Sequence, residues 1–299
     1  MNLRGFLSRH YRRIKEAVRF YRHETVLPAH VPRGHFYSPL PDPEAVGSTN
    51  APLSGSLLGI NLNESTQHQV LLQIRELSQG FEWSEQRQTS LRFHLNQGYL
   101  TFSDSLVLFV MLRLYQPRRV IEIGSGFSSA LMLDVNDRYL KGETQFTFVD
   151  PFPERLKAIL READSSKVDI VSLPVQDVPL AIFEELRSND ILFIDSSHIS
   201  KVGSDVNHLY FDVLPKIAKG VLIHVHDIHW PFEYPTASIR KGLAWNEAYL
   251  LRAFLLFNQD FEVVFWVPFA AEKWPELIAP LIPKYMENTG ASMWLRRVK

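Results

Sequence analysis

Short apolar runs rich in Val, Ile and Phe alternate with longer amphipathic segments from Arg119 onward. The runs predict five strands, at Arg119–Ile123, Gln145–Val149, Val168–Leu173, Ile191–Ile194 and Val221–Val225. The segments between them predict four helices, at Ser128–Tyr139, Glu154–Arg161, Leu180–Arg187 and Ser204–Leu214. Apolar strands separated by helices are typical of a parallel sheet covered on both faces, so the pattern predicts an α/β fold.

Further elements flank this predicted sheet. Helical spacing predicts a helix at Asn63–Leu77. It predicts a second helix that Ser103 or Asp104 caps and that runs to Tyr115, where Pro117 stops it. After the fifth strand, the pattern predicts a helix and then an antiparallel hairpin at one sheet edge, at Ala244–Phe257, Phe261–Val267 and Ser292–Val298.

The chain is expected to have two parts of unequal size. Residues 28–59 are rich in Pro, Gly and Ser, which predicts an irregular arm. We therefore expect residues 1–85 to form a basic helix, a proline-rich arm and a cap, and residues 86–299 to form the sheet domain.

Composition places the chain among ordinary globular proteins. It has 299 residues, of which 45% are hydrophobic and 22% charged, and it contains no cysteine. The lack of cysteine excludes disulfides, thiolate zinc sites and a cysteine nucleophile, and it agrees with a cytoplasmic location. A formal net charge of −1 gives no global electrostatic reason to expect a nucleic-acid partner.

Positive charge is concentrated at the start of the chain. Residues 1–23 contain seven Lys or Arg and one acid, which leaves 25 basic and 32 acidic residues in the remainder. On a helical wheel, apolar residues from Leu3 to Tyr21 fall on one side and the basic residues on the other. We expect this helix to pack on its own domain or on a second copy of the chain. Peripheral contact with an anionic membrane is the alternative.

The most informative motif joins the first predicted strand to its helix. The segment VIEIGSGFSSA places Glu122 inside the strand and Gly124, Ser125 and Gly126 in the turn. Glycines let the backbone turn sharply and approach a ligand closely, and the following helix directs free N–H groups at that ligand. The second strand is followed by an acid, Asp150.

This motif distinguishes two classes of cofactor. A dinucleotide fold requires glycine or alanine at the third position of its glycine pattern, where this chain has Ser129. In addition, Glu122 would repel a pyrophosphate. The same acid favours a cofactor with a cationic head and no phosphate. The motif, together with the acid after the second strand, resembles class I S-adenosylmethionine-dependent methyltransferases. A nicotinamide oxidoreductase is the alternative that the imperfect glycine pattern disfavours.

The resemblance covers residues 119–299 and implies a Rossmann-like doubly wound sheet, mostly parallel, with an antiparallel closing hairpin. It implies that the acid of the first strand and the turn after it hold the amino-acid portion of S-adenosylmethionine, through Glu122, Gly124, Ser125 and Gly126.

The resemblance to this family implies three further cofactor-binding residues. Asp150 is placed like the acid that accepts both ribose hydroxyls, a role that suits a group with acceptors only. Gln176 and Asp177, after the third strand, lie where the family contacts adenine, although Asp177 could equally cap the next helix.

Acids and histidines follow the fourth and fifth predicted strands. Asp195 follows ILFI, and His226 and Asp227 follow VLIHV. Because the carboxyl ends of parallel strands meet at one sheet edge, we expect these side chains to converge beside the methyl donor. Two carboxylates and an imidazole suit a divalent cation. The sequence therefore predicts a metal site at Asp195, His226 and Asp227.

This arrangement resembles the metal-dependent O-methyltransferases of the catechol type, in which one acid after the fourth strand and an acid–amide pair after the fifth hold Mg²⁺. The chain departs from that pattern, because His226 stands first in the pair and Asp227 second. Imidazole is a poorer Mg²⁺ ligand than oxygen, so the identity of the metal remains open. The site could take Mg²⁺, another divalent metal such as Mn²⁺, Fe²⁺ or Zn²⁺, or no metal.

A general base is the remaining catalytic group that this resemblance implies. His198 stands where the catechol type has its lysine base, three residues after Asp195. An imidazole suits proton removal near neutral pH, so we expect His198 to be the base, with His229 as a second candidate.

The sequence thus predicts a methyltransferase that acts on a small-molecule hydroxyl with divalent metal assistance. The loops DSSHISKVGSDV and HDIHWPFEYP resemble those of bacterial methyltransferases from polysaccharide and natural-product pathways, which implies a sugar or natural-product acceptor. Two alternatives are metal-independent methylation of nitrogen or carbon, and a non-catalytic protein that retains the cofactor-binding fold.

Overall fold

The computed structural model describes residues 30–42, 57–164 and 167–299. Its strands are β1 Arg119–Ile123, β2 Gln145–Val149, β3 Val168–Val171, β4 Ile191–Ile194, β5 Leu222–Val225, β6 Phe261–Trp266 and β7 Met293–Arg297. They form one sheet in the order β3-β2-β1-β4-β5-β7-β6. The first five strands pair in parallel, and β7 pairs antiparallel with both β5 and β6. The predicted Rossmann-like, mostly parallel α/β fold is confirmed.

Helices precede, connect and follow these strands. In chain order they are α1 Glu64–Leu77, α2 Phe102–Tyr115, α3 Phe127–Tyr139, α4 Glu154–Ile159, α5 Leu180–Glu184, α6 Asp205–His208, α7 Thr236–Arg240, α8 Glu247–Leu255, α9 Val267–Lys273, α10 Pro275–Ile278 and α11 Pro283–Glu287. The sequence predicted one regular helix over Ser204–Leu214, but α6 continues as a π-helical turn at Leu209–Val213 and a 3₁₀ turn at Leu214–Lys216. Pro215 lacks the N–H that a regular α-helix would need at that point.

Most strand bounds follow the apolar runs. The predicted bounds of β1, β2 and β4 are confirmed, whereas β3 ends at Val171, two residues early. The predicted cap of α2 is wrong, because the cap is Thr101, whose side chain accepts a hydrogen bond from the N–H of Asp104. Ser103 and Asp104 lie in the first turn and are buried there.

The antiparallel pairing of β6 with β7 is confirmed, but the two strands do not form a tight hairpin. Three short helices lie between them, and each has a proline in its first turn, at Pro268, Pro275 and Pro283. Proline is tolerated there because its fixed φ suits a helix and its missing N–H would have no helical partner. These starts were not recognised in the sequence.

A buried arginine joins the segment before α2 to α3. Arg92 donates to Asp134 at 2.9 Å, to Asp137 at 2.8 Å and to Asp164. The indole N–H of Trp83 also donates to Asp134, at 3.3 Å. Burial alone would lower the pKa of Arg92, but these carboxylates raise it well above its ordinary value. The segment ahead of α2 is thus held against the helix that follows the glycine turn.

The chain divides into two compact units. Of the described residues, 30–42 fall with 236–244 in one unit, and 57–164, 167–235 and 245–299 fall in the other, which contains the sheet. α1 packs against β6 within the second unit. The division expected after residue 85 stays a prediction, and the basic segment at residues 1–23 lies outside the described residues. Among the helices that are described, none is long and apolar enough to cross a membrane.

Replacing Arg92 by Met is expected to lower the free energy of unfolding by about 3–5 kcal/mol, because it leaves the buried carboxylates of Asp134 and Asp164 without their partner. Urea denaturation measures this change. The matched control is Arg119→Met, which removes an exposed pair with Glu185 and should cost less than about 1 kcal/mol. Equal losses in the two variants would contradict the structural role of Arg92.

Candidate active site

The carboxyl ends of β1, β2, β4 and β5 border a cavity of about 510 Å³. This volume falls within the range of roughly 300–1,000 Å³ that is usual for small-molecule sites. Its lining comes from the lead-in to α2, the turns after these four strands, the first turns of α3 and α4 and the segment before α8: Gly98, Tyr99, Leu100, Gly124, Ser125, Gly126, Phe127, Ser128, Asp150, Arg155, Asp195, Ser196, His226, Asp227 and Trp245. The position agrees with the rule that open α/β sheets bind ligands beyond their carboxyl ends.

The turn after β1 requires glycine at its first position. Gly124 has a φ of +81°, and a Cβ there would lie 2.0 Å from the backbone oxygen of Asp195. The N–H of Gly124 donates to the carbonyl of Val149 at 2.9 Å. Only glycine combines this φ with so close an approach, so the turn is held between the ends of β2 and β4.

Glu122 lies beneath this turn and not in the cavity lining. Its side chain is fully buried and accepts hydrogen bonds from the hydroxyls of Ser128 and Ser129, in the first turn of α3. Burial raises the pKa of Glu122 to about 8, although the two hydroxyls counteract part of that rise. The acid of the motif therefore joins β1 to α3, and its predicted contact with the cofactor stays a prediction.

Asp150 lines the cavity and also connects two turns. One carboxylate oxygen accepts from the backbone N–H of Ser125 at 3.0 Å and from its hydroxyl at 2.9 Å. The other oxygen accepts from the N–H of Phe152 at 2.8 Å. Each carboxylate oxygen has two lone pairs, so acceptor capacity remains for a ligand hydroxyl.

Two acids and a histidine converge at the ends of β4 and β5. Asp195, His198 and Asp227 offer ligand atoms that all lie within 4.8 Å of one another. Nε2 of His198 lies 3.3 Å from a carboxylate oxygen of Asp195 and 3.3 Å from one of Asp227. His198 and Asp227 both have positive φ, at +59° and +56°, and this conformation costs a non-glycine residue of order 1 kcal/mol. Strain of this kind is typical of functional sites.

The other side of the His198 ring is held by the start of α8. Nδ1 of His198 and a carboxylate oxygen of Glu247 lie 2.9 Å apart, and Glu247 is fully buried. The backbone N–H groups of Asn246 and Glu247 donate to the carbonyl of His198 at 3.0 and 3.2 Å. The Trp245 ring lies 4.7 Å from the imidazole, centroid to centroid. Glu247 thus orients the ring so that Nε2 faces the two acids.

Two neighbouring carboxylates raise the pKa of His198. Burial alone would lower its pKa, but hydrogen bonds to Asp195 and Glu247 raise that pKa to about 10. At neutral pH the ring therefore carries a proton unless a cation neutralises the acids. A histidine already protonated cannot act as a base, so the predicted base role of His198 depends on what else occupies the cluster.

His226 lines the cavity but lies outside this cluster of ligand atoms. Its Nδ1 lies 3.2 Å from Nε2 of His224 on β5. His224 in turn stacks on Phe193 of β4, with ring centroids 3.7 Å apart. Burial lowers the pKa of His224 well below its ordinary value, so His224 is a neutral core residue that orients His226.

The remaining predicted site residues lie outside the cavity lining. Gln176 and Asp177 form part of a 3₁₀ turn after β3, where the Gln176 amide donates to the carbonyl of Gly203 at 2.8 Å. His229 is half-buried, with its ring 6.2 Å from that of Tyr234, and burial lowers its pKa. Their predicted roles stay predictions.

Sequence reasoning missed several residues of this site, among them a tryptophan, an arginine and a glutamate. Trp245 and Arg155 line the cavity, and Glu247 holds His198. Glu247 resembles the acids that commonly complement the dipole of a first helical turn, so no local signal distinguished it. Its role follows from a contact between residues 49 positions apart.

Comparison with known proteins agrees with this geometry. The profile of a family described as a methyltransferase domain matches residues 121–228, which run from β1 to the turn after β5. A protein of Archaeoglobus fulgidus, named only as uncharacterized, is 32% identical over 169 residues, which are 54% of this chain and 75% of that protein. The chain therefore contains a methyltransferase domain and belongs to one family with this archaeal protein.

Solved structures resemble the chain more loosely. An SAH-bound methyltransferase of Podospora anserina is 13% identical with a TM-score of 0.44, over 79% of this chain and 94% of that one. The O-methyltransferase TomG of Streptomyces achromogenes, involved in tomaymycin synthesis, is 14% identical with a TM-score of 0.44, over 81% and 93%. The assignment of a methyltransferase domain rests on the match over residues 121–228.

The raised pKa of Glu122 predicts a pH-dependent stability. A carboxyl whose folded pKa exceeds its unfolded value destabilises the fold as pH rises between the two, here from about 4.5 to about 8. Glu122→Gln removes this titration. The free energy of unfolding of the variant should therefore rise relative to that of the wild type as pH increases through this window, by up to about 1.4 kcal/mol per pH unit. Urea denaturation at several pH values measures the difference, and a difference independent of pH would contradict the buried acid.

Proposed function

We propose that this methyltransferase transfers a methyl group to a hydroxyl of a small molecule, a sugar or a natural product, with the help of a divalent cation. The observation that carries the proposal is the cluster of Asp195, His198 and Asp227 beside the cavity that the glycine turn borders. A hydroxyl must lose its proton to accept a methyl group, and acids with an imidazole can hold the cation that assists this loss.

For the cofactor, we assign the cavity that the turn after β1 borders. The turn residues Gly124, Ser125 and Gly126 would contact the amino-acid portion, and Asp150 would accept the ribose hydroxyls. Asp195 would lie beside the sulfonium, whose positive charge its carboxylate favours. The other predicted cofactor residues would act from outside the lining, Glu122 by supporting the turn and Gln176 and Asp177 near adenine.

The donor set fits a divalent metal. Two carboxylates and one imidazole within 4.8 Å of one another match the oxygen and nitrogen ligands of first-row divalent ions. We assign Asp195 and Asp227 as ligands and give the third place to Nε2 of His198, which lies nearest to both. His226, the third ligand predicted from the sequence, lies beside them in the cavity wall. When bound, the cation supplies Lewis acidity to a nearby hydroxyl.

Proton removal then falls to a second imidazole. With His198 engaged by the two acids, His226 is the histidine that lines the cavity, and His224 holds its Nδ1. We assign His226 as the general base, in exchange of roles with His198, and His229, which lies outside the cavity lining, is the other candidate. Alignment of the hydroxyl with the methyl group can contribute up to about 7–11 kcal/mol in addition.

Calorimetry tests the cofactor and the metal together. The wild type should bind S-adenosylhomocysteine and Mn²⁺ or Mg²⁺ but not NAD, because the carboxylates of Asp150, Asp195 and Asp227 in the cavity lining would repel a pyrophosphate. Asp195→Asn and Asp227→Asn should each weaken metal binding by more than about 100-fold, beyond the loss usual for an outer partner. NAD binding without S-adenosylhomocysteine binding would refute the proposal. A protein that binds S-adenosylhomocysteine but neither metal ion would favour metal-independent N- or C-methylation.

The two histidine roles are separable in the same assay. His198→Ala should lose metal binding, whereas His226→Ala should retain it and lose turnover. The opposite pattern would restore the roles predicted from the sequence, with His226 as ligand and His198 as base.

Glu247→Gln tests the hydrogen bond behind His198. Glutamine keeps an acceptor oxygen but loses the charge, so the fold should persist while metal affinity falls about 10–100-fold. Glu233→Gln, a change of an exposed acid, is the matched control. Unchanged metal affinity in Glu247→Gln would show that the buried acid has only a structural role.

Location and assembly remain proposals. A cytoplasmic enzyme agrees with the cysteine-free composition, and residues 1–23 would supply either peripheral membrane contact or contact with a second copy of the chain.

A further inference from the structure

Arg155 is a basic residue in an otherwise acidic cavity. It belongs to α4, and among the described residues that line the cavity no other is an arginine or lysine. Asp150, Asp195 and Asp227 line the same cavity. Nothing in the predicted methyl transfer requires a cation here, because the acids alone would favour a sulfonium.

The guanidinium of Arg155 is held in place by aromatic rings. It lies 4.1 Å from the centroid of the Tyr99 ring, within the distance of a cation–π contact. The Tyr99 ring stacks on Phe127 at 5.7 Å, and Phe127 contacts His94 edge-on at 5.5 Å. Three successive ring contacts thus position an exposed arginine that would otherwise sample many rotamers.

The stem of Arg155 crosses the glycine turn. A Cβ on Gly126 would lie 3.1 Å from Cδ of Arg155, close enough that the arginine stem would have to shift by a few tenths of an ångström. Gly126 therefore leaves space for the arginine stem directly above the turn that we assign to the amino-acid portion of the cofactor. The arginine and the turn are parts of one local arrangement.

The N–H groups of this guanidinium are available to a ligand. Within the part of the chain that the structure describes, Arg155 makes the ring contact with Tyr99 but no hydrogen bond or ion pair. An arginine offers five N–H donors in a planar fork that matches a carboxylate. A carboxylate that enters the cavity beside Gly126 would find these donors already oriented.

We propose that Arg155, oriented by Tyr99, binds the α-carboxylate of S-adenosylmethionine. This inference rests on the proposed function and adds the recognition of one group to it. The donor molecule carries two positive groups, the sulfonium and the ammonium, and one negative group, the carboxylate. Three acids and one arginine in the cavity complement that distribution of charge.

The test compares two ligands that differ only in this carboxylate. Calorimetry with the 299-residue chain measures the affinity of S-adenosylmethionine and of decarboxylated S-adenosylmethionine for the wild type and for Arg155→Met. The variant should lose about 10–100-fold in affinity for the first ligand and less than about 3-fold for the second, because a charge-assisted bidentate contact is lost only where a carboxylate is present. Arg155→Lys should lie between the two, since it keeps the charge but not the fork.

A neighbouring residue supplies the matched control. Lys157→Met removes an exposed positive charge from the same helix outside the cavity and should leave both affinities unchanged. Unchanged binding of S-adenosylmethionine by Arg155→Met would overturn the inference, and so would an equal loss for both ligands, which would mark a packing role. A wild type that binds neither ligand would instead refute the proposed function, and the inference with it.

Discussion

The imidazole of His198 lies among the carboxylates of Asp195, Asp227 and Glu247, and this contact joins the turns after β4 and β5 to the start of α8. Like charges so close repel one another unless a positive charge lies between them. A proton on His198 provides that charge in the metal-free protein, and a divalent cation would provide it in the proposed enzyme. The positive charge that these carboxylates require therefore holds the loops together, and in the proposed enzyme it would be supplied by the catalytic cation.

The glycine turn imposes the second constraint. The N–H of Asp195 donates to the carbonyl of Ile123 at 2.9 Å, and only a glycine at position 124 fits against the backbone oxygen of Asp195, so the ends of β1 and β4 are held close together. Glu122 and Asp150 are both acids of one sequence motif, yet they have different environments. Glu122 is buried against two serines and is protonated near neutral pH, whereas Asp150 connects two turns and lines the cavity. Burial, and not residue type, separates a supporting acid from a ligand-facing one.

Much of the sheet and one edge of the site were predictable. Apolar runs predicted β1, β2 and β4 to the residue, and the glycines and acids after the strands predicted where a cavity would form. The grouping of His198 with the two acids was not predictable from strand ends alone. It depends on a left-handed backbone at His198 and on a hydrogen bond to Glu247, and neither leaves a periodic signal.

The sequence by itself determined the α/β architecture, the glycine turn and the set of acids at the strand ends, because apolar periodicity and strand-end chemistry are local properties. Tertiary structure alone decided which histidine joins the acids, that Glu122 is buried, and that Arg155 lies over the glycine turn on Tyr99. Those outcomes depend on side chains from distant segments that meet only after the sheet forms, and on the burial that their packing imposes.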